Sequence, residues 1–202
     1  YVESRDIWTV PLNVCCIAAY LLKFHKAEVK VRLFKFPDLF MKAVDEDPPD
    51  VIGLSNYIWN SELSRFLARY ARKANKNLIA VMGGPNATQN PEWMSGFMKD
   101  SGIDFYARHF GEEPFRSVIK SALKHGFDAK KIASDPESHD LWFCDRESGA
   151  MTFKPELKTI KDLDEIPSPF TGGLMDEFFK QDLMPMIETV RGCPYECTYC
   201  DW

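Results

Sequence analysis

Three of the chain's six cysteines fall within eight residues, Cys193-Pro194-Tyr195-Glu196-Cys197-Thr198-Tyr199-Cys200. This C-x3-C-x2-C run follows a strand-like apolar stretch, Met186 to Val190, and a loop in that place lets three thiolates turn inward on one metal centre. A structural zinc site would take a fourth protein ligand, and no further His or Cys stands nearby. An iron–sulfur cube fits better, because three cysteines can hold four irons and leave one iron open to a small molecule. Zinc without iron is the alternative. A disulfide framework is not expected, since nothing in the sequence reads as a secretory signal.

The flanks of the cluster sharpen this. The stretch from Glu188 to Trp202, ETVRGCPYECTYCDW, resembles the signature that opens the barrel of the radical SAM superfamily, with Tyr199 as the aromatic before the third cysteine. The resemblance implies that Cys193, Cys197 and Cys200 ligate a [4Fe-4S] cluster. It further implies that the open iron chelates the amino and carboxylate groups of S-adenosylmethionine, and that an electron from a reducing donor cleaves the sulfonium bond to give a 5'-deoxyadenosyl radical.

The elements ahead of the cluster alternate between helical and strand-like periodicity. Pro11 to about Phe24 reads as a helix with Leu12, Cys16, Ala19 and Leu22 on one face, and Val29 to Phe36 alternates as a strand. A short helix over Leu39 to Val44 stops at Asp47-Pro48-Pro49-Asp50, and Val51 to Ser55 (VIGLS) is a buried central strand. Ser61 is a plausible N-cap for a helix to Ala74, and Leu78 to Met82 is a second buried strand ending at Gly83-Gly84-Pro85. Pro91 to Lys99 is helical, Ile103 to Ala107 extended, and Glu113 to Lys124 a helix closed by Gly126.

Short apolar strands alternating with amphipathic helices predict an α/β fold, a doubly wound, mostly parallel sheet of Rossmann or flavodoxin type. Such a sheet binds ligand beyond the carboxyl ends of its strands, which places interest on the loops after Ser55, Met82 and Ala107. The usual first strand is expected before or within Tyr1 to Val10. Beyond residue 127 the character changes to a linker, 128–184, holding a hairpin (Leu141 to Asp145 and Met151 to Phe153), proline-punctuated Leu163 to Phe170 and a short helix over Leu174 to Lys180. A new strand, Met186 to Val190, then begins a barrel within 185–202.

The front portion, 1–127, resembles the cobalamin-binding domain that precedes the barrel in one large radical SAM class. DVIGLSNYIWN (50–60), VMGGPNAT (81–88), GEEPF (111–115) and Leu163 to Phe170 carry the likeness through their order and spacing. Ser55, Asn56 and Asn60 offer short polar groups at a strand end, while Tyr57 and Trp59 offer flat surface to a macrocycle. Gly83 and Gly84 let backbone approach a nucleotide tail, Pro85 fixes the turn, and Gly111 and Glu112 follow the next strand at the same edge. No Asp-x-His-x-x-Gly motif is present, so cobalt is expected without a protein histidine, its lower face covered by a loop such as 57–60. His109 reads as a polar loop residue and Cys15 and Cys16 as core; Cys144 stands alone in the hairpin, and Lys120, Lys124, Lys130 and Lys131 form a solvated face.

Composition bounds the rest. The 202 residues carry a net charge of -5, with 45% hydrophobic and 27% charged residues, and the basic residues are scattered. No nucleic-acid footprint results. The longest apolar run, Val14 to Leu22, is too short to span a bilayer, so a cytoplasmic protein without membrane partners is expected. The chain opens on Tyr1 rather than Met and stops just past Cys200, so its ends read as cut. The resemblance implies a cobalamin-dependent radical SAM enzyme, often a methyltransferase acting on an unactivated carbon of a small-molecule or natural-product-like substrate, and inactive as this fragment alone. The alternative is a radical SAM protein whose front domain no longer binds cobalamin and serves for interaction or substrate positioning.

Overall fold

The computed structural model describes residues 8–88, 90–154, 160–193, 195, 197 and 198. Helix α1, Leu12–His25, carries no acidic residue in its first turn but ends on Lys23 and His25, which suit the negative end of its dipole. Helix α2, Pro37–Glu46, starts with Pro at its first turn, where the missing N–H costs nothing, and stops at Asp47 ahead of two prolines. Strand β1 is Val51–Ser55, α3 Ser61–Ala74, β2 Ile79–Gly83, α4 Pro91–Ser101, β3 Phe105–Ala107 and α5 Glu112–His125. A short α6, Ala129–Ser134, precedes β4, Leu141–Cys144, and β5, Met151–Phe153; α7 is Asp176–Phe179. Asn90 caps α4 by accepting from the Trp93 amide at 3.0 Å, and Gly126 closes α5 in the left-handed conformation.

The five strands form one sheet in the order β1-β2-β3-β4-β5. Pairing is parallel from β1 through β3, with Val51 opposite Ile79 and Val81 opposite Phe105, and antiparallel from β3 through β5. Alternation along β2 sends Ala80 and Met82 into a core with Leu67, Ala71, Met94 and Met98 of α3 and α4, and Ile79 and Val81 into a second core with Val118, Ala122 and Ile132 of α5 and α6. Both faces are covered, as a parallel sheet requires. A third cluster gathers Val10, Cys15, Met175, Phe178 and Leu183.

Several expectations need correction. The hairpin is not a separate linker feature: β4 pairs on β3, the Phe143 ring lies 5.3 Å from that of Phe105, and the sheet therefore continues past residue 127 instead of leaving β3 as a bare edge. Val29 to Phe36 is not a strand; the segment has no ladder partner, because a cavity separates it from β1. Met186 to Val190 is likewise not a strand. It makes no sheet pairing, Ile187 and Val190 are exposed, and only an isolated parallel bridge between Thr9 and Met184 lies nearby. The N-cap position of α3 is Asn60, not Ser61. No described helix is long and apolar enough to cross a membrane.

Candidate functional site

The carboxyl ends of β1, β2 and β3 and the loops that leave them face one cavity of about 1410 Å³. Ser55, Tyr57, Gly83, Gly84, Pro85, Gly111 and Glu112 all line it, together with Arg108, His109 and Phe110 from the loop after β3. Seven of the ten residues expected to contact a cofactor are thus brought to one space. The other three, Asn56, Trp59 and Asn60, do not line it, and the reason is local bonding.

Asn56 is fully buried and its amide is spent within the protein. Its Nδ2 donates to the Asn86 carbonyl at 2.7 Å and to the Tyr106 hydroxyl at 3.0 Å, while its backbone amide donates to the Gly83 carbonyl at 2.7 Å. Asn60 donates to the Ser55 hydroxyl at 2.9 Å and accepts from the Tyr57 amide at 2.8 Å, which closes the turn 57–60 on itself. Ser64 Oγ donates to the Ser55 carbonyl at 2.8 Å. These short polar residues shape the loops rather than reach outward, as buried polar groups generally do.

The closed turn displays its apolar members. Trp59 lies on Tyr57, ring centroids 4.7 Å apart and planes 10° from parallel, and Trp59 and Ile58 are exposed at 58% and 82%. The Asn13 side chain of α1 donates to the Tyr57 hydroxyl at 2.6 Å and fixes the outer ring edge. The result is a flat apolar ledge above the end of β1.

The glycines serve close protein packing. Gly84 has φ +136, and a Cβ there would sit 2.5 Å from the Asn56 carbonyl oxygen; a Cβ on Gly111 would meet Ile17 of α1 at 2.7 Å. Tyr106, which sequence reading passed over, holds this corner by donating to the Gly84 carbonyl at 2.8 Å. Burial drives its hydroxyl pKa upward and keeps it a donor. A lone Tyr in an apolar strand gives no signal of such a role until the strands are paired.

Glu112 and Arg191 are the second feature that spacing did not reveal. Arg191 Nη2 donates to Glu112 Oε1 at 2.7 Å and Nε to Glu188 Oε2 at 2.8 Å, while the guanidinium carbon lies 5.2 Å from the centre of the Phe110 ring. Glu188, Arg191 and Gly192 join the cavity lining, so the segment that leads to Cys193 sits at the rim of the strand-end site. Cys193 and Cys197 are exposed and free; Cys200 and Tyr199 lie outside the described residues. Among the described residues no three His, Cys, Asp or Glu side chains are grouped to hold a metal. Cys15 and Cys16 are buried, as expected of core residues, and Cys144 in the hairpin is buried as well.

Comparison with known proteins agrees with this architecture. The B12 binding domain family matches residues 4–119. The chain is 29% identical over 160 residues to the cobalamin-dependent radical SAM methyltransferase TokK of Streptomyces tokunonensis, covering 76% of this chain and 22% of that protein. It is 29% identical over 196 residues to the uncharacterized methyltransferase PH0819 of Pyrococcus horikoshii, covering 94% and 40%. A 2-(S-pantetheinyl)-carbapenam-3-carboxylate methyltransferase of Streptantibioticus cattleyicolor matches at 29% over 218 residues, covering 99% and 30%. The chain spans less than half the length of each of these relatives. With the family match covering more than half of its residues and falling on the sheet and loops just described, this chain belongs to the B12 binding domain family.

Proposed function

We propose that this chain is the front portion of a cobalamin-dependent radical SAM enzyme, most simply a methyltransferase acting on a small-molecule substrate. The observation that carries the reading is the convergence at one sheet edge of the family's strand-end loops with the segment that leads into the cysteine cluster. The names of two relatives, both methyltransferases and one explicitly cobalamin-dependent radical SAM, support the reaction class.

The residues fit a corrinoid in kind. Tyr57, Ile58 and Trp59 give a flat apolar platform of the sort a macrocycle packs against, and the Gly83-Gly84-Pro85 corner and the Gly111-Glu112 turn line the space beside it. Ser55, Asn56 and Asn60 hold the platform in place from beneath. His109, with φ +50, lines the same cavity, but no Asp-x-His-x-x-Gly frame surrounds it, so cobalt is held without a protein histidine. Cobalamin, when bound, supplies a cobalt that carries a methyl group.

Cys193 and Cys197 are exposed thiols with no disulfide partner, as thiolate ligands must be before a cluster is built, and Cys200 completes the set. The [4Fe-4S] cluster, when bound, supplies the open iron for S-adenosylmethionine and the electron for its cleavage. In this arrangement the chain's own contribution is positional: Arg191, clasped by Glu112 and Glu188, fixes the approach to Cys193 relative to the corrinoid-facing rim.

Anaerobic purification of the full-length polypeptide, with metal analysis and optical spectra, tests the proposal. About one cobalt and about four irons per chain are expected, with loss of the iron on replacing Cys193, Cys197 or Cys200 by Ala. Iron without cobalt would reassign the front domain to interaction or substrate positioning, and zinc without iron would overturn the radical SAM reading.

A further inference from the structure

Helix α1 is apolar from Leu12 to Leu22 but for the Asn13 amide and the Tyr20 hydroxyl. Asn13 stands at the second helical position, where Asn is a poorer helix former than Ala, and the N-cap residue ahead of it is Pro11. Its side chain serves another element: Nδ2 donates to the Tyr57 hydroxyl at 2.6 Å, across 44 residues of sequence.

The rest of α1 gives that bond a fixed origin. Asn13, Ile17, Tyr20 and Phe24 recur at helical spacing and share one face. Ile17 packs so closely on Gly111 that a Cβ there would sit 2.7 Å from it, and Tyr20 donates to Glu113 at 3.1 Å. Phe24 has the Arg116 guanidinium carbon 4.9 Å from its ring centre. These three seat the helix on Gly111 and α5. The fourth, Asn13, overhangs the strand-end cavity and lines it with Tyr57. Cys16, next to Ile17, has Glu112, Arg191 and Glu188 as charged neighbours. One helix thus touches both the ledge after β1 and the rim after β3.

Within the ledge, Asn60 closes the backbone, accepting from the Tyr57 amide at 2.8 Å and donating its own amide to the Tyr57 carbonyl at 3.1 Å. A closed backbone still leaves the Tyr57 side-chain torsions a choice of staggered wells. Asn13 holds the far end of that ring. Trp59 lies on Tyr57 with planes 10° from parallel, so the orientation of the exposed indole follows that of the tyrosine.

We propose, on the corrinoid reading of this cavity, that Asn13 is a positioning residue. Its bond to the Tyr57 hydroxyl sets the pitch of the Tyr57–Trp59 ledge relative to the Gly111–Glu112 rim that α1 also braces. A platform oriented before the ligand arrives spares the ordering cost that binding would otherwise carry. Asn13 therefore contributes to affinity through Tyr57.

The test is Asn13→Ala in the full-length polypeptide, prepared free of cobalamin and titrated with hydroxocobalamin. The dissociation constant should rise about 5-fold, the effect of one hydrogen bond. The thermal unfolding midpoint should hold or rise, because Asn13 is exposed and Ala is the better helix former. Asn13→Asp, whose carboxylate can accept from the Tyr57 hydroxyl, should restore the affinity. In a Tyr57→Phe background, which keeps the ring, Asn13→Ala should cost nothing further. With 5-fluorotryptophan incorporated, the fluorine resonance of Trp59, assigned by its loss in Trp59→Phe, should shift or broaden in Asn13→Ala before any cofactor is added, the other tryptophan resonances staying in place. Unchanged affinity in Asn13→Ala overturns the proposal and leaves the corrinoid reading standing. A lowered unfolding midpoint with several tryptophan resonances disturbed makes Asn13 a structural residue and overturns it too. Failure of the unsubstituted protein to bind hydroxocobalamin overturns the corrinoid reading, and the role of Asn13 with it.

Discussion

Arg191 reaches back across 79 residues of sequence to Glu112, Nη2 to Oε1 at 2.7 Å, with both side chains at or below 10% exposure. Glu112 opens α5, where the helix dipole favours a carboxylate, and Glu188 holds the other edge of the guanidinium. Burial alone would lower the arginine pKa, but the hydrogen bonds and charges of the two glutamates outweigh it and raise it. One cation between two carboxylates thus ties the approach to the cysteine cluster to the loop that follows β3.

Removing that cation should loosen the tether. Arg191→Met keeps the apolar stem over Phe110 but leaves Glu112 buried without its donor, a loss of about 3–5 kcal/mol for a broken buried pair. Hydrogen exchange over residues 184–193 should rise, while Glu112→Gln, which still accepts a hydrogen bond, should have a smaller effect. Unchanged exchange in R191M would mean that the pair positions nothing.

The corner at Gly84 gives a sharper substitution. With φ at +136 and the Asn56 carbonyl 2.5 Å from any added Cβ, Gly84→Ala must move backbone that Tyr106 and Asn56 pin from two sides. A cost of about 1–3 kcal/mol from the backbone conformation alone is expected, with the clash adding to it. Gly96→Ala is the control: it lies inside α4 with open space around its Cβ position, and should raise stability by about 0.5–1 kcal/mol. Thermal unfolding of the two variants should move in opposite directions.

The fold was readable where local chemistry fixes it and obscure where neighbours do. Proline and glycine boundaries marked α2, α4 and α5 to within a residue or two, and the apolar runs at β1 and β2 announced a parallel sheet. The alternating pattern of 29–36 promised a strand that lacks a partner, since pairing depends on what lies alongside and not on the segment itself. The meeting of Ser55, Tyr57, Gly83, Gly84, Pro85, Gly111 and Glu112 at one cavity was legible from their places after strand ends. Asn56 and Asn60 could be found but not their direction, because only the folded turn shows that their amides bond to Tyr106 and Ser55. Arg191 could not be paired with Glu112 from sequence, since no periodicity spans 79 residues.

Acid should destabilise the α1–α5 contact before alkali does. Burial would raise the Glu113 pKa, but Arg116 and Tyr20 donate to its carboxylate, with His139 Nε2 3.4 Å from it, and together they hold it well below the ordinary value of 4.5. A depressed folded-state pKa contributes stability that is fully present above the unfolded value, and that stability is lost as pH falls from about 4.5 toward the folded value. The unfolding midpoint should therefore be flat from pH 7 to about 5 and drop steeply below it. Glu113→Gln should lower the midpoint at pH 7 and flatten the acid slope; an unaltered slope would place the acid sensitivity elsewhere, with Asp135, also depressed by its hydrogen bonds, the next group to replace.

The cysteines divide by environment, and alkylation should separate them. Burial pushes the Cys15 thiol up to about 12 and Cys16 to about 11, and raises Cys144 as well, so in the folded protein these three carry almost no thiolate at pH 8 and are closed to reagent. Cys193 and Cys197 are open to solvent. Iodoacetamide at pH 8, followed by peptide mass spectrometry, should modify Cys193 and Cys197 in the native metal-free protein and the buried three only after denaturation. Reconstitution with iron and sulfide before the reagent should then shield Cys193 and Cys197 while leaving the pattern of the buried thiols unaltered. Continued alkylation of both after reconstitution would show that these sulfurs do not hold the cluster, whatever iron the protein had taken up.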